Sequence, residues 1–125
     1  MKGSFPKKEK LKNKKLIDQL FVGGKSVTSY PIKLFYIKAD LPSEVPIQAG
    51  VTVPKKNFKS AVKRNRIKRL LRESYRRNKG LVFNNSKGTF AFLFLYLGKE
   101  MPDSSIVEEN LITALKKFKK KIDHA

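Results

Sequence analysis

The chain has 125 residues, the length of one domain. It carries 29 Lys and Arg against 10 Asp and Glu, a formal net charge of +19, and 40% of it is apolar, which suffices for one compact core and rules out wholesale disorder. With no cysteine and one histidine, His124, next to the end, disulfides, thiolate zinc sites, cysteine nucleophiles, histidine triads and multi-histidine metal centres are excluded.

The longest apolar stretch, Phe90 to Leu97, is far shorter than a membrane span. The basic N-terminus has no apolar signal core, so a cytoplasmic protein is expected. So high a charge on so small a body calls for a polyanion, with nucleic acid ahead of an anionic membrane surface. The charge is also clustered. Lys55 to Lys79 holds twelve basic residues and a single acid, Glu73.

Taken in chain order, Ser4-Phe5-Pro6 opens a lysine-rich stretch that reads as a helix, with Leu16, Ile17, Leu20 and Phe21 as its apolar stripe. Gly23-Gly24 is its stop, through the left-handed conformation glycine takes after a helix end. Tyr30 to Ala39 reads as a strand with Ile32, Leu34 and Tyr36 on one face and Lys33, Phe35 and Ile37 on the other. Two prolines in Leu41–Pro46 mark a turn. Ile47 to Val53 alternates as the next strand, and its nearness in sequence predicts antiparallel pairing with the one before. Ser60 is the expected N-cap of a helix over Ala61 to about Asn78, with Gly80 as its stop. Phe90 to Leu97 reads as a buried central strand. Ser105-Ile106-Val107-Glu108 has capping-box spacing. It opens a last helix with Val107, Leu111, Leu115, Phe118 and Ile122 inward and a run of lysines from Lys116 to Lys121 outward. The order is that of an α+β sandwich of sheet against helices, one domain over 1–125, with 1–6 and 123–125 expected outside the ordered body.

The central helix is the informative segment. Ile67, Leu70, Leu71 and Tyr75 make one apolar face; Arg64, Lys68 and Arg72 fall at i, i+4 and i+8 as a cationic ridge. Arginine forks match phosphate geometry, and a rigid helix fixes their spacing. Asn65 can bond a base edge or a ribose hydroxyl, or brace its neighbours. A merely solvated helix normally interleaves carboxylates as i,i+4 partners, and this run is nearly free of them. The scattered acids do not suit the clustered carboxylates of a metal-dependent protein nuclease. Nor does a second helix join the basic one by the short turn of a helix-turn-helix.

At Arg64-Asn65-Arg66, followed by Ile67-Lys68-Arg69 and preceded by Gly50-Val51-Thr52-Val53-Pro54-Lys55-Lys56, the chain resembles the bacterial ribonuclease P protein subunit. The resemblance implies a ribosomal-protein-like domain in the order α-β-β-β-α-β-α. Its small, mostly antiparallel sheet of about four strands packs with three helices, and the crossover is left-handed. It implies a cofactor of a catalytic RNA that removes the 5′ leader from precursor tRNA, with no catalytic residue of its own. It implies Mg2+ held mainly by RNA and substrate, no protein metal ligand, no membrane partner, and a monomer in a 1:1 complex with the RNA. RNA contacts map onto Lys55, Lys56, Lys63, Arg64, Asn65, Arg66, Lys68, Arg69 and Arg72. A leader-binding cleft maps onto Phe21, Lys33, Phe35 and Val53. Single-stranded RNA on a sheet stacks on aromatics while lysines track its backbone; core packing is the plain alternative for Phe35. The chain departs from the family pattern at Ile17, where an aromatic is usual. The competing class is a structural RNA-binding protein of ribosomal type.

Overall fold

The computed structural model describes residues 5–41, 45–84 and 87–123. The helices are α1 (Lys14–Gly23), α2 (Ala61–Asn78), α3 (Gly80–Phe83) and α4 (Ser104–Asp123). The strands are β1 (Lys25–Ser29), β2 (Ile32–Lys38), β3 (Ile47–Thr52) and β4 (Phe90–Tyr96). They form one mixed sheet in the order β1-β2-β4-β3.

The α+β class and the chain order agree with the sequence reading, but the strand pairing does not. The strands expected to pair antiparallel, β2 and β3, are separated by β4, which runs antiparallel to β2 and parallel to β3. The reason lies in burial. Every residue of β4 except Leu95 is buried, so the most apolar strand takes the centre and needs a neighbour on both edges. Helix α2 serves as the crossover that parallel pairing of β3 and β4 requires.

The two faces of the sheet carry different cores. Ile32, Leu34 and Tyr36 of β2, Phe92 and Phe94 of β4, and Ile47 and Ala49 of β3 pack against Ile67, Leu71 and Tyr75 of α2 and the inward stripe of α4. Edge-to-face rings, such as Phe92 on Phe118 at 4.7 Å, make up its middle. Such pairs add about 0.5–1.5 kcal/mol beyond burial. The opposite face holds a smaller cluster of Leu11, Leu20, Ala91 and Leu93, flanked by Ile17, Phe35 and Ile37. It is covered only in part, by α1.

Several local expectations are corrected. The N-terminal lysine stretch is not one helix. Lys7–Glu9 is a 3-10 turn, and Lys10 then bridges Ala49, with the Leu11 amide donating to the Ala49 carbonyl at 2.9 Å. Lysines at i,i+4 repel along a helix, whereas this extended path buries Leu11 and covers the β3 edge. Helix α1 starts only after Asn13, whose Oδ1 accepts from the Leu16 amide at 3.1 Å. After α1 the chain leaves extended at Gly24, with φ −74°. The glycine is needed there for close approach, since a Cβ would lie 2.5 Å from the Leu20 carbonyl oxygen.

Ser60 caps α2 as expected, accepting from the Lys63 amide at 3.3 Å. Gly80 does not stop the chain: Lys79 keeps helical dihedrals and Gly80 opens α3. The cap of α4 is Asp103 rather than Ser105, its Oδ1 accepting from the Ile106 amide at 2.9 Å and the Ser105 hydroxyl at 2.7 Å. Those bonds hold the Asp103 carboxyl below its usual range, the Ile106 amide foremost. Phe5 packs edge-on against Tyr75 at 5.5 Å, and Asp123 ends α4. Residues 42–44 of the expected turn, and His124, lie outside the described residues.

Candidate nucleic-acid interface

Helix α2 divides into two electrostatic halves. Its N-terminal half runs to Arg72 and contains no acid. Lys63, Asn65, Arg66, Arg69 and Arg72 are exposed and Lys68 is half-buried. Among the described residues, none of these six side chains makes a hydrogen bond or ion pair within the chain. Asn65 therefore does not brace its neighbours. The first turn of the helix holds cations and no carboxylate, although the positive end of the helix dipole favours the reverse. An array of unpaired cations kept at that cost is suited to an external anion.

Arg64 departs from the ridge. Its Nη1 donates to the Phe58 carbonyl at 2.7 Å and the Lys59 carbonyl at 2.9 Å. It pins the connection from β3 into α2, the segment that carries Lys55 and Lys56. Both lysines are exposed in a turn closed by the Asn57 and Phe58 amides donating to the Pro54 carbonyl. Arg64 thus positions the two lysines at the N-terminal end of the helix while its other donors stay available.

The C-terminal half is neutralised. Glu73 pairs with Arg76 at 3.0 Å, and Arg77 with Glu108 of α4 at 2.9 Å. The Arg76 hydrogen bond holds the Glu73 carboxyl below its usual range, and Arg77, then Asn78, do the same for Glu108. Lys79 meets Glu9 at 2.6 Å, with both side chains largely out of solvent. Burial raises the neighbouring Tyr75 hydroxyl well above its ordinary value, with Glu9 adding to the shift.

On the other side of the sheet, Phe21 of α1 and Phe35 of β2 meet edge-on at 5.3 Å. The Lys33 ammonium lies 4.9 Å from the Phe35 ring centre. Phe21 is 49% exposed and Phe35 half-buried, so the pair borders the small core and also faces outward. Val53 is not with them. It is 5% exposed and buried with Phe58 in the main core behind the sheet. The alternation Ile47, Ala49, Val51, Val53 already contained that answer, because residues two apart share a face.

A cleft opens between α1, the N-terminal segment and β3. Ile17, Leu11, Gly50 and Leu93 line it, with Phe5, Lys10, Lys12 and Arg72 at its margin. Arg72 therefore reaches over the β3 edge and links the α2 array to the open sheet side. Sequence reasoning did not place Phe5, Lys10 or Lys12 here, because a helical reading of the lysine stretch hides the strand-like pairing at Lys10 that brings them over. Among the described residues, no three His, Cys, Asp or Glu side chains converge to hold a metal. Among the described residues, no helix is long and apolar enough to cross a membrane.

A family model described as Ribonuclease P matches residues 5–119. The ribonuclease P protein component of Porphyromonas gingivalis is 35% identical over 112 residues, covering 87% of this chain and 82% of that protein. That of Chlorobaculum tepidum is 32% identical, covering 97% and 79%. The Chlorobium phaeobacteroides protein is 47% identical over 83 residues, which span 57% of its length. The solved ribonuclease P protein from Thermotoga maritima superposes with a TM-score of 0.70 at 27% identity, covering 87% of this chain and 96% of that one. With the fold, the motif helix and these relatives in agreement, the chain belongs to the ribonuclease P protein component family, the protein subunits of an RNA-processing endoribonuclease.

Proposed function

We propose that this protein binds a catalytic RNA through the N-terminal half of α2 and Lys55–Lys56. It receives the 5′ leader of precursor tRNA in the cleft between α1 and the open sheet face. In that role it broadens substrate range and supports leader removal to give the mature tRNA 5′ end. Catalysis belongs to the RNA subunit, with Mg2+ held mainly by RNA and substrate. The protein acts in the cytoplasm as one copy per RNA.

The observation that carries this reading is the acid-free array from Lys63 to Arg72, without an ion pair among the described residues and joined by Arg72 to a cleft lined by Leu11 and Leu93, the cluster against which Phe35 packs. Cations on a rigid helix suit a folded RNA backbone. Exposed rings beside lysines suit a single strand.

The test is leader removal from a precursor tRNA at low magnesium. It uses the catalytic RNA of the same organism with and without the protein, plus a protein-alone control. Cleavage should require both components. Phe21→Ala and Phe35→Ala should weaken precursor binding by about 1–3 kcal/mol per lost stacked base, leaving RNA assembly unchanged. Cleavage by the protein alone would overturn the RNA-catalysed reading. Tight RNA binding with no effect on cleavage would move the protein to the structural RNA-binding class.

A further inference from the structure

A second cationic surface lies on the far side of the domain from the β3 cleft. Lys25 of β1, Lys38 of β2, Lys87 and Lys121 of α4 surround a groove with Tyr36, Phe90 and Ile122 at its base. The groove continues along the β1 edge, where Ser26 and Thr28 face Lys117, Lys120 and Lys121. Four separate segments contribute lysines, and among the described residues no carboxylate lines either part. Asp123 stands on the next stretch of α4, beside Lys116 and Lys119.

Among the described residues, Lys25, Lys38, Lys120 and Lys121 form no ion pair. On α4, Lys116 and Lys120, and Lys117 and Lys121, are like-charged i,i+4 pairs that work against the helix. Lys117 is tied down, donating to the Thr28 carbonyl at 2.6 Å on the sheet edge. That bond holds α4 along β1, so that Lys120 and Lys121 follow about one turn further on.

We propose that this groove is a second phosphate-backbone contact for the catalytic RNA, separate from the α2 array. The inference rests on the reading of α2 above and extends it. Helices α2 and α4 pack together on the same face of the sheet, so a folded RNA seated on α2 meets α4 as well. Gly23 of α1 and Ile37 of β2 line the groove where it turns toward the open face, so protection by precursor tRNA separates substrate from catalytic RNA there. Lysine point charges along an edge, without arginine forks, suit sequence-independent contact with a backbone.

Acetylation footprinting of lysines, read by mass spectrometry, tests this on the full chain, alone, with the catalytic RNA, and with precursor tRNA. Lys63 and Lys68 report on α2. Lys25, Lys38, Lys120 and Lys121 report on the groove. The catalytic RNA should protect both sets several-fold. Protection of Lys63 and Lys68 with the groove lysines unchanged would overturn this inference and leave the α2 interface standing. Protection of neither set would remove both. Groove protection by precursor tRNA alone would reassign the groove to substrate. So would vesicles of anionic lipid protecting it where the RNA does not, in favour of a membrane surface. The triple variant Lys38→Gln, Lys120→Gln, Lys121→Gln spares Lys117. It should lower the slope of log affinity against log salt by about 2, at roughly 0.7–0.9 per phosphate, with precursor leader binding unchanged. An unaltered slope would contradict the proposal.

Discussion

Both parts of α2 carry arginines, but those arginines meet different surroundings. From Glu73 onward, Arg76 and Arg77 each pair with Glu73 or Glu108, and Lys79 just beyond pairs with Glu9. Before Glu73 no described cation of the helix makes an ion pair, Arg69 acting on Glu73 only at longer range, and Arg64 donates to backbone carbonyls. The lesson is that basic residues on one helix divide into those that hold the fold together and those that leave the fold paying a small repulsive cost. Only the second kind is positioned to receive an outside anion.

The largest effect that separates the halves is on stability. Glu9→Gln strips the buried Lys79 of its carboxylate and should destabilise the protein by roughly 3 kcal/mol, the low end for breaking a buried pair. Denaturant unfolding would measure it, and RNA affinity of the folded variant should not change. Ser60→Ala removes the α2 N-cap and should cost about 1 kcal/mol. Lys63→Glu sharpens the contrast because stability and function should move in opposite directions. The carboxylate would complete a capping box with Ser60 and meet the helix dipole favourably, adding about 0.3–1 kcal/mol, while RNA affinity falls. Thermal unfolding and RNA titration on one preparation would check both signs.

The smallest effect is at Glu108. Its folded-state carboxyl is held below the unfolded value by Arg77. The contribution is therefore complete above the ordinary carboxylate range and is lost as pH falls through the depressed value. Because the pair is about a third exposed, solvent screening limits it to a few tenths of a kcal/mol. Glu108→Gln should lower stability slightly at neutral pH, and the gap to the unmodified protein should close in acid.

Much of the fold was legible because burial and period go together. The inward faces of α2 and α4 were read from Ile67, Leu71, Tyr75, Leu111 and Phe118, and β4 from its unbroken apolar run. Partner choice was not legible. Alternation in Ile47–Thr52 states which residues share a face and is silent on which strand lies alongside, so proximity in sequence suggested β2 where β4 stands. The α4 cap slipped by two residues because Asp103 and Ser105 are both good caps and only geometry chooses between them. Of the candidate site, the α2 cations were read from helical spacing, whereas Phe21 and Phe35 entered through the family resemblance. The role of Arg64 in pinning the loop, and the reach of Arg72 into the cleft, depend on where β3 delivers the chain. No local pattern encodes that.

The most direct measurement is the salt dependence of binding to the catalytic RNA for two double variants. Arg66→Ala with Arg69→Ala removes two unpaired cations, and Arg76→Ala with Arg77→Ala removes two paired ones. The first should reduce the log–log slope by about 1.4–1.8, at roughly 0.7–0.9 per phosphate contact. The second should leave it unchanged while lowering stability. Equal slopes for the two variants would contradict the division of α2 on which the interface rests.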